Sequence, residues 1–163
     1  GQQLKRIIGL DIATKTGVAI LEGNTINAYY IEGSPLFQIQ KILPLITQDC
    51  EIVIEDFSYF NYRNPVTTAQ LNQRLGYIFW RLAEEKTVVK KYNVNTVRKQ
   101  LGISGSRKSG EQKKLLNSNI CFETKLKFTP DETDAIALIM YDIGICFSDL
   151  HRFNVTRQKR LKE

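Results

Sequence analysis

The sequence predicts an α/β protein in which one mixed β-sheet carries helices on its faces. Two observations lead to this class. Three strand-like runs separated by tight turns open the chain, and from residue 34 onward helical and strand-like patterns alternate until a long final helix. At 163 residues, 42% of them apolar, the chain is long enough for one domain with one sizeable core.

The strands are predicted from short apolar runs bounded by turn residues. They cover residues 7–12, 16–21, 25–31, 51–55 and 87–92. The first three follow one another closely, and Gly23-Asn24 is a turn signal between the second and the third. We therefore expect the first three strands to form an antiparallel meander.

Helical patterns begin after the third strand. Ser34 and Pro35 form a typical helix start, with an N-cap serine before a proline at the first helical position. Pro44 is expected to kink or shorten this helix. A long apolar pattern from Pro130 predicts the final helix. The other predicted helices cover residues 65–86, a short stretch from Asn95 to Leu101, and a segment that begins at a capping box of Ser109 and Gln112.

Positive charge is concentrated in the middle of the chain and in its tail. The net charge is +6, but residues 86–127 hold 11 Lys and Arg against 2 Asp and Glu, and residues 151–163 hold 5 against 1. Residues 128–150 hold 5 acids and no Lys or Arg. Such local excess favours a polyanionic partner such as nucleic acid, although a solubilising surface has the same composition. We take residues 1–150 as the domain and expect the basic C-terminal tail, 151–163, to be frayed.

Cysteine and histidine usage argues against several classes of protein. Cys50, Cys121 and Cys146 are odd in number and lie in apolar stretches, which predicts reduced core thiols in a cytoplasmic protein. His151 is the single histidine, so a His-based zinc site or a Ser-His triad is not expected. No run of 18 apolar residues predicts a membrane span, and the opening residues lack the pattern of a secretory signal.

The final helix begins with a pair of like charges. Thr129 can cap it, Pro130 can occupy the first helical position, and Glu132 completes a capping box. Asp131 and Asp134 then lie three positions apart on one helical face. The positive end of the helix dipole offsets part of their repulsion, and a cation would offset more. Ordinary enrichment of acids at a helix start is the competing explanation.

Two further carboxylates stand in apolar strands. Asp11 lies within "IIGLDI", and Glu55 ends "IVIE". A carboxylate in a central strand is costly unless it is paired or bound to a metal ion. Together with the aspartate pair of the final helix, three separate elements present acids, and such oxygen-rich sets suit Mg²⁺ or Mn²⁺. Two ions a few ångströms apart can hold both the attacking water and the leaving oxygen of a phosphodiester, which predicts two-metal hydrolysis.

These motifs resemble one known family. "RIIGLDIATKTGVAIL", "IVIEDF" and "DETDAIALI", in this order and at these separations, are similar to the RuvC family of Holliday junction resolvases, within the ribonuclease H-like superfamily. The resemblance extends over residues 5–147. It implies a ribonuclease H-like mixed five-stranded sheet. It also implies a homodimeric, Mg²⁺-dependent endodeoxyribonuclease that resolves four-way or other branched DNA junctions by paired symmetric nicks during recombination and repair.

The resemblance also assigns roles to individual residues. The family's four catalytic, metal-binding carboxylates correspond to Asp11, Glu55, Asp131 and Asp134. They are expected to bind two Mg²⁺ ions, for which Mn²⁺ can substitute. Lys108 is assigned as the catalytic lysine that stabilises transition-state charge, with Lys113 as its rival. The predicted DNA contacts are Tyr59, Phe60, Arg63, Arg98, Lys99, Arg107, Lys108 and Lys113.

Aromatic residues suggest two further surfaces. Tyr59 or Phe60, shortly after the catalytic glutamate, is expected to stack on unpaired bases at the junction, although packing of this loop onto the core is the alternative. The predicted helix 65–86 is the expected homodimer surface, because it carries apolar residues beyond one stripe, including Tyr77 and Trp80. A core position for Trp80 remains open at this stage.

The chain also departs from the family. "LDIAT" ends the first strand without the family's proline and glycine, which indicates a divergent, phage-type member and does not support coupling to a branch-migration helicase. Such a protein is expected in the cytoplasm of a bacterium or an infected host. One alternative is another ribonuclease H-like nuclease acting on RNA or forked DNA. A second is an actin-like nucleotide-binding protein, whose D-x-x-T-x-x-G pattern occurs at 11–17, but the chain is short for it. A catalytically silent junction-binding module is disfavoured by the intact acids.

Overall fold

A mixed β-sheet forms the frame of the protein. A computed structural model describes residues 5–56, 65–85, 87–103 and 108–163. The first five strands are β1 (Arg6–Asp11), β2 (Lys15–Glu22), β3 (Thr25–Glu32), β4 (Cys50–Glu55) and β5 (Val88–Tyr92). The first three form an antiparallel meander, β4 pairs parallel with β1, and β5 pairs parallel with β4. The predicted five-stranded arrangement is therefore confirmed, in the order β5–β4–β1–β2–β3.

The C-terminal tail adds two strands to this sheet. β6 (Asn154–Arg157) and β7 (Leu161–Lys162) both pair parallel with β3, so that the sheet has seven strands. The side chain of Glu163 then accepts a hydrogen bond from the backbone N–H of Ser34 at 2.9 Å. The prediction of a frayed tail is wrong, because the outer backbone edge of β3 offers the tail hydrogen-bond partners that its own sequence pattern does not reveal.

The helices cover both faces of the sheet. They are α1 (Pro35–Ile42), α2 (Pro65–Glu85), α3 (Val94–Gln100), α4 (Ser109–Thr124) and α5 (Pro130–Ile143). α1 and α2 enclose one apolar core against the sheet, and α3, α4 and α5 enclose the other. None of the helices in the described ranges has the length and apolar character needed to cross a bilayer.

Strand alternation decides which side chains face α5. Leu10 and Ile54 are buried in the core beneath α1 and α2, whereas Val53 is buried in the core beneath α5. Successive side chains of a strand point to opposite faces. Asp11 and Glu55, each one position beyond Leu10 and Ile54, therefore project on the α5 side of the sheet.

Two glycines allow α5 to lie directly on β1 and β2. A Cβ atom on Gly9 would stand 2.6 Å from the carbonyl oxygen of Ala135, and one on Gly17 would stand 1.9 Å from that of Asp131. Real Cβ atoms do not approach backbone oxygens this closely, so side chains at both positions are excluded. The first turn of α5 is consequently held against the point where β1 ends and β2 begins.

Local details confirm some predictions and correct others. The first helix ends at Ile42, and a 3-10 helix, Leu43–Leu45, contains Pro44, as expected for a shortened helix. The N-cap of α4 is Lys108 without a side-chain cap, so the predicted capping box of Ser109 and Gln112 is wrong.

The cysteines only partly match their prediction as core thiols. Cys50 is buried and Cys121 is half-buried, but Cys146 is exposed. Cys146 precedes the 3-10 helix Phe147–Arg152, and its backbone N–H donates to the Asp149 carboxylate at 2.9 Å. All three thiols are free.

Candidate active site

The start of α5 places two aspartates in its first turns. The Thr129 hydroxyl accepts the backbone N–H of Glu132 at 3.4 Å, and the Glu132 carboxylate accepts the backbone N–H of Thr129 at 2.8 Å. Pro130 occupies the first helical turn. This is the predicted capping box. It satisfies two backbone N–H groups at the N-terminus of α5 and fixes where the helix begins. Asp131 and Asp134 are thereby positioned at the positive end of the helix dipole.

Two strand ends bring the other acids to the same place. Leu10 pairs with Ile54 in the parallel register of β1 and β4, so Asp11 and Glu55 leave their strands side by side. Both line a cleft of about 220 Å³. The other polar residues that line this cleft are Arg98, Lys113 and Asp134. Asp11, Glu55 and Asp134, which lie far apart in the sequence, thus line the same cleft.

Burial and crowding of negative charge raise the pKa values of the clustered acids. Burial, followed by repulsion from Asp134, holds the pKa of Asp11 well above its usual value. The same two causes raise the pKa of Glu55 to about 7. Burial also raises the pKa of Asp134, although Lys113 opposes the shift. Acids whose pKa values rise in this way gain from any cation that enters the cleft.

Lys113 of α4 is the lysine that contacts the aspartate pair. Its ammonium lies 3.1 Å from Oδ2 of Asp134 and 3.4 Å from Oδ1 of Asp131. Burial alone would lower the pKa of Lys113, but the carboxylates of Asp134 and Asp11 raise it above its usual value, so the side chain is held as a cation. Its helical spacing to buried Leu116, three positions later, is the sequence signal that distinguishes it from Lys108.

Arg98 of α3 lies on the wall of the cleft. Its side chain is 6% exposed, and its guanidinium is 3.9 Å from the carboxylate of Asp134 and donates to Gln112 at 3.4 Å. Arg98 is therefore buried beside the acids while it lines the cleft, and its predicted DNA contact stays a prediction. A buried guanidinium in this position reduces the repulsion between the carboxylates.

Two of the remaining predicted DNA contacts are exposed at helix ends. Lys108 is exposed as the N-cap of α4, five residues before Lys113, and Lys99 is exposed in the last turn of α3. Both side chains could reach phosphates from these positions, and their DNA contacts stay predictions. Four other predicted contacts lie outside the described residues: Tyr59, Phe60, Arg63 and Arg107.

The donor chemistry of the cleft fits divalent cations. Carboxylate oxygens are the ligands that Mg²⁺ and Mn²⁺ prefer. Three carboxylates and two basic groups line the cleft, and the fourth carboxylate, that of Asp131, contacts Lys113. Among the described residues, however, no group of three or more His, Cys, Asp and Glu side chains is arranged so that it could hold a metal ion. The ammonium of Lys113 bridges the aspartate pair, so a cation that binds both aspartates has to compete with it.

Sequence reasoning missed a buried polar network behind the turn that follows Asp11. The side-chain amide of Gln38, which is fully buried, donates to the carbonyl of Thr14 at 2.6 Å. Its Oε1 accepts from the hydroxyl of Thr16 at 2.6 Å and from Nε of Arg74 at 3.1 Å. This network holds the turn "IATK" without the proline and glycine of the family pattern. A glutamine next to the apolar Ile39 in α1 was the available signal.

Of the comparisons with known proteins, the one with solved structures bears on the fold. No protein-family model matches the sequence, and no curated protein matches it. Thermus thermophilus RuvC in complex with a Holliday junction substrate gives a TM-score of 0.58 at 17% identity, covering 85% of this chain and 96% of that chain. A second Thermus thermophilus RuvC structure gives 0.57 at 19%, with the same 85% and 96%. The yeast mitochondrial Holliday junction resolvase Ydc2 gives 0.52 at 12%, covering 92% of this chain and 79% of that chain.

The chain therefore has a fold of the ribonuclease H-like α/β class. More narrowly, its fold is that of the RuvC-type Holliday junction resolvases, as the motifs in the sequence predicted. At identities of 12% to 19%, this likeness defines the fold and leaves activity to be argued from the site itself.

Proposed function

We propose that this protein is a Mg²⁺-dependent endonuclease that resolves four-way or other branched DNA junctions by paired symmetric nicks. The observation that carries the proposal is the convergence of Asp11, Glu55 and Asp134 in one cleft, with Lys113 bridging Asp134 and Asp131. The neighbours in fold, a RuvC bound to a Holliday junction substrate and a yeast junction resolvase, support this class of substrate.

The acids would act as the ligands of the catalytic cations. Asp11, Glu55, Asp131 and Asp134 are the residues that would hold two Mg²⁺ ions. Ions held there supply activation of water for attack and neutralisation of the leaving oxygen. Burial and mutual repulsion raise the pKa values of Asp11 and Glu55, so both carboxyls hold their protons more tightly than usual. A bound cation would favour their ionised forms and release these protons.

The cleft favours hydrolysis over a covalent route. Among the described residues that line it there is no serine, cysteine or histidine to act as nucleophile. Water is then the attacking group, and in-line attack leaves a 5′-phosphate and a 3′-hydroxyl. Lys113, held as a cation beside the acids, is placed to stabilise the negative charge that grows on the phosphate in the transition state. Lys108, at the exposed start of the same helix, remains the sequence-based alternative for this role.

Paired nicks require two active sites related by two-fold symmetry, and we propose a homodimer formed through α2. This helix exposes two large aromatic side chains, with Tyr77 at 44% and Trp80 at 60% exposure, so Trp80 is not part of the core. The two residues line a mainly apolar groove together with Gly76, Asn72 and Gln73. A second copy that covers this face would remove both rings from water.

Cleavage assays on defined substrates test the proposed activity. The protein is incubated with a labelled four-way junction, a Y-fork, a linear duplex and an RNA–DNA hybrid, each with Mg²⁺ and with EDTA. We expect symmetric nicks in the four-way junction only when Mg²⁺ is present. Preference for the fork or the hybrid would instead identify another nuclease of the same fold, and cleavage in EDTA would contradict the metal-dependent scheme.

A single substitution separates binding from chemistry in this assay. Asp11→Asn keeps the shape of the side chain and removes its charge, so the variant should bind the junction and lose nicking. Asp49→Asn provides the matched control, because Asp49 is exposed just before β4, at the opposite end of the strand from Glu55. Normal nicking by Asp11→Asn would remove Asp11 from the site.

A further inference from the structure

The folded tail places a group of cations at a fixed position on the sheet. β6 and β7 are both hydrogen-bonded to β3, and the Glu163 carboxylate accepts from the backbone N–H and the hydroxyl of Ser34 at 2.9 and 3.1 Å. The connection between the two strands, residues 158–160, is therefore held at both ends. Lys159 and Arg160 lie in this connection, and both are exposed.

Strand register relates these cations to the active site. Asp11 pairs with Gly17, and Gly17 pairs with Tyr30, so one row of residues crosses β1, β2 and β3. Arg160 continues this row, since its guanidinium donates to the Tyr30 hydroxyl at 3.3 Å. Neighbouring strands lie about 4.8 Å apart, which puts the tail about 15 Å from Asp11 along the row.

The row faces the same side of the sheet as the catalytic acids. Directly paired residues project to the same face, and a Cβ on Gly17 would point at the backbone of Asp131 in α5. Tyr30, the partner of Gly17, therefore projects to the α5 side. Tyr30, Arg157, Lys159 and Arg160 line one groove of about 340 Å³ there.

Some of the charged side chains in and beside this groove are already ion-paired, and others are not. Arg157 is paired with the buried carboxylate of Glu132 at 3.0 Å. The neighbouring Glu32 is paired with Lys15 at 3.7 Å. In the described ranges, by contrast, neither Lys159 nor Arg160 forms an ion pair. Arg160 donates to the Tyr30 hydroxyl, and the nearby carboxylate of Glu32 acts on it without pairing directly. These two tail cations thus form an anchored and accessible positive site.

We propose that Lys159 and Arg160 bind the phosphate backbone of the DNA strand that enters the active site. This inference rests on the proposed function, because it names a substrate contact of the same enzyme. Phosphates follow one another by about 3.4 Å along the axis of each strand, so a contact about 15 Å away lies about four nucleotides from the cleaved bond. Arginine and lysine bind phosphate oxygens without reading sequence, so the tail contributes affinity and orientation but no base preference.

The test compares two variants with the same change in charge. Lys159→Gln combined with Arg160→Gln removes two positive charges from the tail. Lys41→Glu changes the net charge equally on α1, which packs on the opposite face of the sheet. Binding of a labelled four-way junction and of a linear duplex is measured in EDTA over a range of salt concentrations. Melting temperatures verify that both variants fold.

The tail variant should bind about tenfold more weakly than the wild type at moderate salt, with a slope of log affinity against log salt that is smaller by about 1 to 2. Lys41→Glu should change the slope by less than half as much. If the slopes of the two variants coincide, the tail proposal is wrong.

The salt dependence of binding tests the tail contact, and the nicking assay tests the nuclease function, so either proposal can be contradicted without the other. A wild-type protein that binds DNA through the tail cations but cuts no branched substrate in Mg²⁺ contradicts the nuclease function and supports the tail contact. A wild type that nicks junctions, with a tail variant whose affinity and slope are unchanged, contradicts only the tail contact. A wild type that binds no DNA overturns both.

Discussion

Arg157 and Glu132 form a two-pronged ion pair between β6 and the first turn of α5, the helix that carries Asp131 and Asp134. Nε of Arg157 lies 3.1 Å from both carboxylate oxygens, and Nη2 lies 3.0 Å from Oε1. Glu132 is fully buried, stands between Asp131 and Asp134, and also accepts the backbone N–H of Thr129. The tail therefore supplies the countercharge for the carboxylate that fixes the start of α5.

We expect Arg157→Gln to lower the free energy of unfolding by about 2 to 3 kcal/mol, because it leaves the buried Glu132 carboxylate without this countercharge. Glu132→Gln, added to Arg157→Gln, should recover part of the loss, and urea denaturation of both single variants and the double variant measures the coupling. Arg152→Gln is the control, since its side chain is 71% exposed and pairs with Asp149 at the surface. Equal losses for Arg152→Gln and Arg157→Gln would contradict the role of the pair.

Matched substitutions distinguish the roles proposed for Lys113 and Lys108. Lys113→Gln removes the cation that bridges Asp131 and Asp134, so we expect the nicking rate at saturating Mg²⁺ to fall by about 100-fold. Lys108→Gln removes an exposed charge at the start of the same helix and should mainly weaken DNA binding. Single-turnover rates on a four-way junction measure both effects. A larger loss of rate in Lys108→Gln would restore the sequence-based assignment.

The elements that build the site were predictable because each is specified locally. The start of α5 needs only Thr129, Pro130 and Glu132, which are neighbours in the chain, and its boundary agrees with the prediction. Asp11 and Glu55 stood out because they lie beside apolar residues in short strands. Their convergence then follows from parallel pairing of β1 with β4, which the order of elements and the family resemblance supplied.

Other features depend on contacts between distant segments and were not predictable. β6 is only four residues long, and none of its residues is fully buried, so no apolar alternation marks it as a strand. Its formation depends on the edge of β3. The choice between Lys108 and Lys113 depends on how α4 faces α5, and the predicted capping box placed the helix start one residue too late. Arg157 carries no local signal, because its partner lies 25 positions earlier in the chain.

Gly17→Ala should disturb both stability and activity. The new Cβ would stand 1.9 Å from the carbonyl of Asp131, so the first turn of α5 has to move away from β2. We expect a loss of about 3 kcal/mol in the free energy of unfolding, together with slower nicking as Asp131 and Asp134 shift. Gly110→Ala in α4 is the control, since no described atom lies within 4 Å of its added Cβ. A stable and fully active Gly17→Ala protein would contradict this packing.

The proposed dimer surface is tested with two exposed aromatic residues. Trp80→Glu places a charge on the apolar face of α2 and should shift the protein from dimer to monomer in analytical ultracentrifugation. Phe122→Glu is the matched control, because Phe122 is 79% exposed on α4, on the other face of the sheet. The monomeric variant should produce single nicks where the wild type produces paired ones. A dimer that survives Trp80→Glu but not Phe122→Glu would move the interface to α4.

The raised pKa values predict how stability depends on pH when no divalent cation is bound. Glu55 has a pKa of about 7, and that of Asp11 is also well above its usual value, so between about pH 4.5 and 7 the folded state binds more protons than the unfolded state. The free energy of unfolding should therefore fall as pH rises through this window, by roughly 3 kcal/mol for Glu55. Thermal unfolding in EDTA measures the slope, which should be shallower in Glu55→Gln. Because cations replace these protons, the stabilisation by added Mg²⁺ should be largest above pH 7. A wild-type protein that gains stability with pH in EDTA would show that the acids do not repel one another in the folded state.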